Sequence, residues 1–459
     1  MTSSFEELLP STERALWHRV ATAQAEGRAP SVVGAVARDG RLVWAGARGG
    51  TDGHLPDAHT QYRIGSITKT FTAVLVMRLR DDGLLDLEDR LETHVPGTGV
   101  GEVTVAQLLA HSAGLTAEPP GPWWERMPGS TRPGISDVLG ERPLLHPAGR
   151  RHHYSNPGYT LLGSLVAAVR GVSWEEALRV EVLEPLGLDR TTTQPVPPYA
   201  AGWAVHPWAD VLLPEPAEDL GLMAPAGQLW STAADLCRFA CFLVEGDDRV
   251  LGARSLREMR APAVPPDAED WDTGYGLGMQ LTRRDGRTLA GHSGSLPGFL
   301  VGMWVSVADG VAGVALANVT SGLVPGAVAG DLVRIVADAE PRLPAAWRPL
   351  PEVDPALLEL TGPWYWGTYS YVLRLAAEGG VELHPLRGQG RRSRFRARPD
   401  GTWTGLDGYY AGETLRVVRR QDGSVSHLDL GSFVFTREPY EEGEAVPGGV
   451  AEGGWRGGS

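Results

Sequence analysis

A chain of 459 residues, 42% hydrophobic and 21% charged, has the composition of an ordinary folded protein and is long enough for two domains. A formal charge of -14 argues against nucleic acid or an anionic membrane as the main partner, because phosphate binding needs a basic surface. No apolar run approaches the roughly 18 residues of a membrane span, and the opening stretch MTSSFEELLPSTERALWHRV lacks the basic-then-apolar order of a leader, so a cytoplasmic location is expected.

In chain order, residues 12–29 predict an amphipathic helix, and SVVGAVARDGRLVWAGARGG predicts two strands joined at Asp39-Gly40. After TQYRIGSITKT, the spacing of Phe71, Val74, Leu75 and Leu79 predicts a second helix that stops near Asp82-Gly83. Ser66 then stands at a helix start, with Lys69 one turn further in. Residues 118–149 are rich in Pro, Gly and Trp and too long to be mere connection, which suits a loop shaping a cleft. Helices resume at Leu161–Arg170, Trp174–Leu183 and Ala233–Val244, the last capped by Ser231 or Thr232. The segments TGYGLGMQLTR, GHSGSLPGFLVGMWVSV and GVAGVALANVT read as strands, and Ala327–Ala339 as a closing helix. The result is an α/β (α+β) fold: a mostly antiparallel sheet flanked by helices, with first and last strands as neighbours.

The expected domains are 1–345, a proline-dense linker at 346–355, a small antiparallel β-domain at 356–440 and a disordered tail at 441–459. Turns in the β-domain are expected at Glu378-Gly379-Gly380, Asp400-Gly401 and Asp422-Gly423. Its Trp364, Trp366, Tyr369 and Trp403 read as core packing, and the arginines of Arg391–Arg398 as a solvated sheet face. Cys237 and Cys241, one helical turn apart, read as inert thiols, since such spacing suits neither a disulfide nor a zinc site.

The chemical signal begins with a scarcity. Of the 42 basic side chains only one is lysine, Lys69, and asparagine occurs only at 156 and 318. Arginine stays protonated, whereas a buried lysine can shed its proton and act as a base. In Ser66-Ile67-Thr68-Lys69 the two side chains share one helix face, so the amine can take the proton that keeps a serine hydroxyl a poor nucleophile. The helix N-terminus adds a positive dipole end, and the Ser66 N–H can face a developing oxyanion. A second group, Tyr154-Ser155-Asn156, offers a phenol to relay a proton and an amide to bind a carbonyl, although Ser-Asn-Pro-Gly is also strong turn chemistry. A third, His292-Ser293-Gly294-Ser295, leads into a strand. There Gly294 would let a substrate lie along the sheet edge and the Ser295 N–H would be a second oxyanion donor.

These groups, in this order, resemble the serine β-lactamase and penicillin-binding protein superfamily, in its class C-like, beta-lactamase-related branch of D-aminopeptidases, D,D-carboxypeptidases and esterases. YRIGSITKTFTA, QLLAHSAGL, YSNPGYTLLG, GQLWSTAADLCRF, YGLGM and GHSGSLPGF carry the likeness across about residues 12–345. The resemblance implies a cofactor-free serine hydrolase with nucleophile Ser66, base Lys69 and proton relay Tyr154. It implies substrate contacts from Asn156 and from His292, Ser293, Gly294 and Ser295. It gives His111 of QLLAHSAGL no catalytic role, leaving a structural, hydrogen-bonded histidine. Where β-lactamases carry Lys-Thr-Gly this chain has His292-Ser293-Gly294; a histidine mostly neutral at pH 7 suits esterases and peptidases better than β-lactam turnover. The alternatives are a penicillin-recognising sensor that stays acylated, a true β-lactamase or D,D-carboxypeptidase, and an inert scaffold, the last opposed by the intact Ser66, Lys69, Tyr154 and Asn156. The β-domain resembles the lipocalin-like appendages of some hydrolases in this branch.

Overall fold

The computed structural model describes residues 7–50, 55–128, 131, 133–264, 272–344, 346–375 and 380–439. The tail 441–459 and most of the turn at 378–380 lie outside them. The chain forms two compact units, Met1–Arg342 and Leu343–Ser459.

The first unit is built on a seven-stranded antiparallel sheet. Its elements are helix α1 (Pro10–Glu26), strands β1 (Ser31–Arg38) and β2 (Arg41–Gly49), and helices α2 (Thr68–Asp81), α3 (Asn156–Arg170) and α4 (Ala233–Glu245). Strands β3 (Thr273–Tyr275), β4 (Gln280–Arg284), β5 (Arg287–Leu296), β6 (Phe299–Ser306) and β7 (Val311–Ala317) follow, then helix α5 (Pro325–Ala339). The order across the sheet is β2-β1-β7-β6-β5-β4-β3, so the first and last strands are neighbours, paired from Val32–Ala317 to Arg38–Val311. Asp39 and Gly40 join β1 to β2 with φ of 47° and 80°, the positive values that a two-residue hairpin turn demands.

Strand alternation assigns the sheet's two faces. Val32 and Val36 pack with Leu16 and Val20 of α1 and Leu332, Val333 and Val336 of α5; Val33, Ala35 and Ala37 enter the larger core on the other side. Covered on both faces, β1 carries an almost unbroken apolar run.

On the larger side lies α2, where the structure departs from a one-faced amphipathic helix. Thr68, Lys69, Thr70 and Thr72 are buried along with Phe71, Val74, Leu75 and Leu79, because helices α3 and α4 and the neighbouring segments close over it from several sides. Phe71 stacks on Phe239 of α4 at 3.7 Å between centroids. The threonine hydroxyls meet carbonyls, Thr70 donating to Gly278 and Thr72 to Pro225, both at 2.9 Å. Without such partners each buried hydroxyl would cost about 1–3 kcal/mol. Thr232, not Ser231, caps α4 by accepting from the Asp235 N–H. Cys237 and Cys241 are free thiols, and burial raises the pKa of both.

The second unit is a meander of eight antiparallel strands: β8 (Gly362–Trp366), β9 (Tyr369–Leu375), β10 (Val381–Pro385), β11 (Ser393–Ala397), β12 (Trp403–Gly405), β13 (Thr414–Arg419), β14 (Val425–Leu430) and β15 (Phe433–Phe435). They pair in sequence order. Tyr365 and Thr436 exchange backbone hydrogen bonds of 2.8 and 2.9 Å between first and last strands, bringing the sheet round to a barrel. Trp364, Phe395, Trp403, Leu428 and Phe435 fill its core. Trp366 and Tyr369, expected in that core, are instead about 40% exposed. They share the inward face with Trp364 and Tyr371 but form the last pair of the β8–β9 hairpin, where the barrel's end leaves them open, and Trp366 lies against Arg391 and Phe433. Arg392, Arg394, Arg396 and Arg398 are exposed, as a solvated face requires. Among the described residues no helix is long and apolar enough to cross a membrane.

Candidate active site

Ser66 lies in a 3-10 turn, Gly65–Ile67, that feeds directly into α2. Gly65 holds a φ of 51°, and an added Cβ there would come within 2.8 Å of the Ser295 nitrogen. Opposite it, a Cβ on Gly294 would sit 2.0 Å from the Ile64 oxygen and 3.0 Å from the Ser66 nitrogen. Only two bare glycines let β5 and the nucleophile turn approach this closely, which brings the backbone of Ser66 and Ser295 together.

One turn on, the Lys69 Nζ lies 3.1 Å from Ser66 Oγ, 2.7 Å from Asn156 Oδ1 and 2.7 Å from the Ala226 carbonyl. Two of these neighbours are carbonyl oxygens that only accept. A neutral amine has two N–H groups for them and a lone pair left for the third neighbour, the Ser66 hydroxyl. Burial pushes the Lys69 pKa down to about 7 from its ordinary 10.5, against the upward pull of Glu118 and Glu125.

Asn156 opens α3, where Ser155 is the N-cap, accepting from the Gly158 N–H at 3.1 Å and donating to the Thr116 carbonyl at 2.7 Å. The Ser-Asn-Pro-Gly run is thus a helix start and not an isolated turn. The Asn156 amide donates to both oxygens of Glu118, at 2.8 and 3.0 Å, and Glu118 also accepts from the Trp124 indole at 2.7 Å. That contact fixes the amide so that its oxygen faces Lys69. The Tyr154 ring lies 5.0 Å from the Lys69 nitrogen. Burial raises the phenol's pKa, Ser66 within reach pulls it back, and Glu118 raises it further, so the phenol keeps its proton.

The strand residues divide. Ser293, Gly294 and Ser295 line a cleft of about 730 Å³ that also reaches Ser66, Tyr154, Gln280, Leu300 and Trp304. The Ser293 N–H and hydroxyl both meet Gln280 Oε1, at 3.0 and 3.1 Å. His292 does not reach the cleft surface. Its ring is fully buried behind Tyr154, with Nε2 3.0 Å from the Tyr275 hydroxyl and Nδ1 2.6 Å from the Ser293 carbonyl. Burial, reinforced by Lys69, pushes its pKa down to about 3. The corrected place for His292 is in support of the cleft wall, because its position on β5 faces the packed interior. His111 is buried and hydrogen-bonded.

Sequence reasoning missed Glu118 and Gln280. Glu118 stood at the head of the loop singled out for shaping a cleft, but nothing local distinguishes it from Glu125 or Glu141. Gln280 carries no motif at all. Among the described residues no group of three His, Cys, Asp or Glu side chains could hold a metal ion.

Residues 16–338 match the Beta-lactamase family, and residues 353–437 match a domain of unknown function, DUF7586. The chain is 30% identical to Beta-lactamase-like protein 2 of Dictyostelium discoideum over 48% of its own length and 42% of that protein's. It is 30% identical to Penicillin-binding protein 4 of Amycolatopsis lactamdurans over 64% of its length and 81% of the relative's. Among solved structures, a D-stereospecific amidohydrolase from Streptomyces sp. superposes with a TM-score of 0.59 and 27% identity, covering 71% of this chain and 98% of that one.

Proposed function

The chain belongs to the Beta-lactamase family, and from that premise we propose that it is a serine hydrolase forming an acyl-enzyme on Ser66 with an ester or amide substrate. The observation that carries this reading is the buried amine of Lys69, 3.1 Å from the Ser66 hydroxyl with two carbonyls occupying its N–H groups.

In the first step Ser66 Oγ bonds to the substrate carbonyl carbon while its proton passes to Lys69 Nζ, directly or through Tyr154. The backbone N–H groups of Ser66 and Ser295 receive the oxyanion, and the helix start behind Ser66 adds favourable potential. Collapse breaks the bond to the leaving group, which takes the proton through Tyr154. Water then attacks the ester on Ser66 by the same route reversed, releasing the acid and returning the proton to Oγ. Asn156 orients the amine through its Oδ1, and its amide nitrogen, held by Glu118, would have to exchange that partner to reach a substrate.

The cleft's electrostatics favour an ester or amide over a substrate needing a carboxylate anchor. His292 is neutral, and the one cationic side chain among the described residues lining the cleft, Arg284, is paired with Asp331 at 2.7 Å. Glu118 and Glu125 lie near enough to Lys69 to raise its pKa. Such a field favours an acyl group bearing an amine.

The test is covalent labelling. One sample each of wild type and Ser66→Ala is incubated with a fluorophosphonate, and a separate untreated sample of each is offered p-nitrophenyl esters, D-aminoacyl anilides and a chromogenic cephalosporin. A mass gain on wild type alone, with turnover of esters or anilides, is expected. Equal labelling of both proteins would move the chemistry elsewhere. An acyl adduct from the cephalosporin or an ester that persists for hours would identify a sensor instead.

A further inference from the structure

The two chain neighbours of Tyr154 hang from a single residue. The His153 N–H donates to the His111 carbonyl at 2.7 Å, and the Ser155 N–H donates to His111 Nδ1 at 3.0 Å. The His111 ring then lies against the Tyr154 ring, with centroids 4.2 Å apart. His111 is thus bonded on both sides of the phenol-bearing residue and packed against it.

Two features of His111 work against its own stability. Its φ is 55°, in the left-handed region that a residue with a Cβ enters at a cost. Because Nδ1 accepts a hydrogen bond, the neutral ring carries its proton on Nε2. That nitrogen is buried with no hydrogen-bond partner among the described residues, beside the rings of Tyr159, Tyr275 and His152. Burial, with Lys69 next in weight, holds the imidazole's pKa well below its ordinary range, so it remains an acceptor. Backbone strain and an unpaired donor at one position point to a role beyond packing.

Resting on the reading of Tyr154 as proton relay, we propose that His111 is a positioning residue. It holds the phenol over Ser66 and Lys69 by gripping the backbone on either side and backing the ring, and it touches no substrate itself.

The experiment measures turnover of a p-nitrophenyl ester by the full chain carrying His111→Gly, His111→Asn, Tyr154→Phe and the double variants, with a thermal melt for each. Glycine removes ring, acceptor and strain together; asparagine keeps an acceptor on the same γ-carbon and tolerates positive φ. His111→Gly is expected to lower kcat about 30-fold with KM nearly unchanged, within the range for a displaced acid–base group. His111→Asn recovers most of that loss. In the Tyr154→Phe background His111→Gly should cost less than about twofold, because the two residues act as one unit.

The same loss in both backgrounds would overturn the positioning role, as would wild-type kcat for His111→Gly beside an inactive Tyr154→Phe. Full activity of Tyr154→Phe would overturn the relay and the positioning role together. Should His111→Gly not fold, His111→Asn and His111→Gln decide the matter. Glutamine moves the acceptor one carbon further, so kcat for the asparagine variant must exceed that for glutamine, and equal values overturn the proposal.

Discussion

The two units bury different things. Under the first unit's sheet lie Lys69, Arg63, His111, His292 and Asn156, all less than a tenth exposed. The barrel of the second unit encloses an apolar core, and its buried polar residues among those described are only Ser393, His427 and Thr436. Burying ionisable groups is unfavourable unless each is paired or neutral. A fold that concentrates them in one unit and leaves few in the other therefore marks where its chemistry lies. The barrel's centre is apolar, and Arg392, Arg394, Arg396 and Arg398 stand on its exposed face.

That contrast can be broken at its strongest point. Lys69→Arg places a permanent cation where a neutral amine is required, and kcat should fall by about 1,000-fold or more in a steady-state ester assay. Activity surviving that change would dissolve the distinction between the units. The wild-type rate should itself fall as pH drops through about 7, where Lys69 gains its proton. The sign for stability follows: the folded state holds fewer protons on this group than the unfolded state between about 7 and 10.5, so its contribution rises with pH there. Denaturant titrations across that window read it directly.

Next in size is the apolar counterpart. Trp364→Ala, emptying the centre of the barrel, should destabilise the second unit by about 3–5 kcal/mol in chemical denaturation. Fluorophosphonate labelling of Ser66 should be unaffected. A smaller effect is expected at the mouth of the site, where Glu118→Ala frees the Asn156 amide and should reduce kcat about tenfold, or roughly 1.4 kcal/mol. Because Glu118 raises the Lys69 pKa, its loss should also move the acid limb of the pH profile lower. Last, Arg396→Ala on the barrel's exposed face should change stability by less than about 0.5 kcal/mol.

What could be read without coordinates was local. The Asp39-Gly40 hairpin, the Ser66–Lys69 spacing and the glycine at 294 each follow from backbone or helical geometry within a few residues. The strand periods of the barrel are equally local and set Trp366 and Tyr369 on the core face, although periodicity could not say that the barrel's end leaves them exposed. Long-range placement was not legible. Glu118 lies 38 positions from the amide it holds, and Gln280 lies 13 from Ser293 on a neighbouring strand. The inward turn of His292 depends on which face of β5 meets the core, which only the finished sheet decides.

The chain's lone lysine has a practical corollary. Acylating reagents aimed at primary amines have no lysine on this protein's surface to modify, since the one present is wholly enclosed beside α3. An increment mapped to Lys69 itself would appear only when the first unit opens, whereas one on Ser66 would report the acyl-enzyme. The residue thus doubles as an internal gauge of unfolding, readable by mass spectrometry without any introduced label.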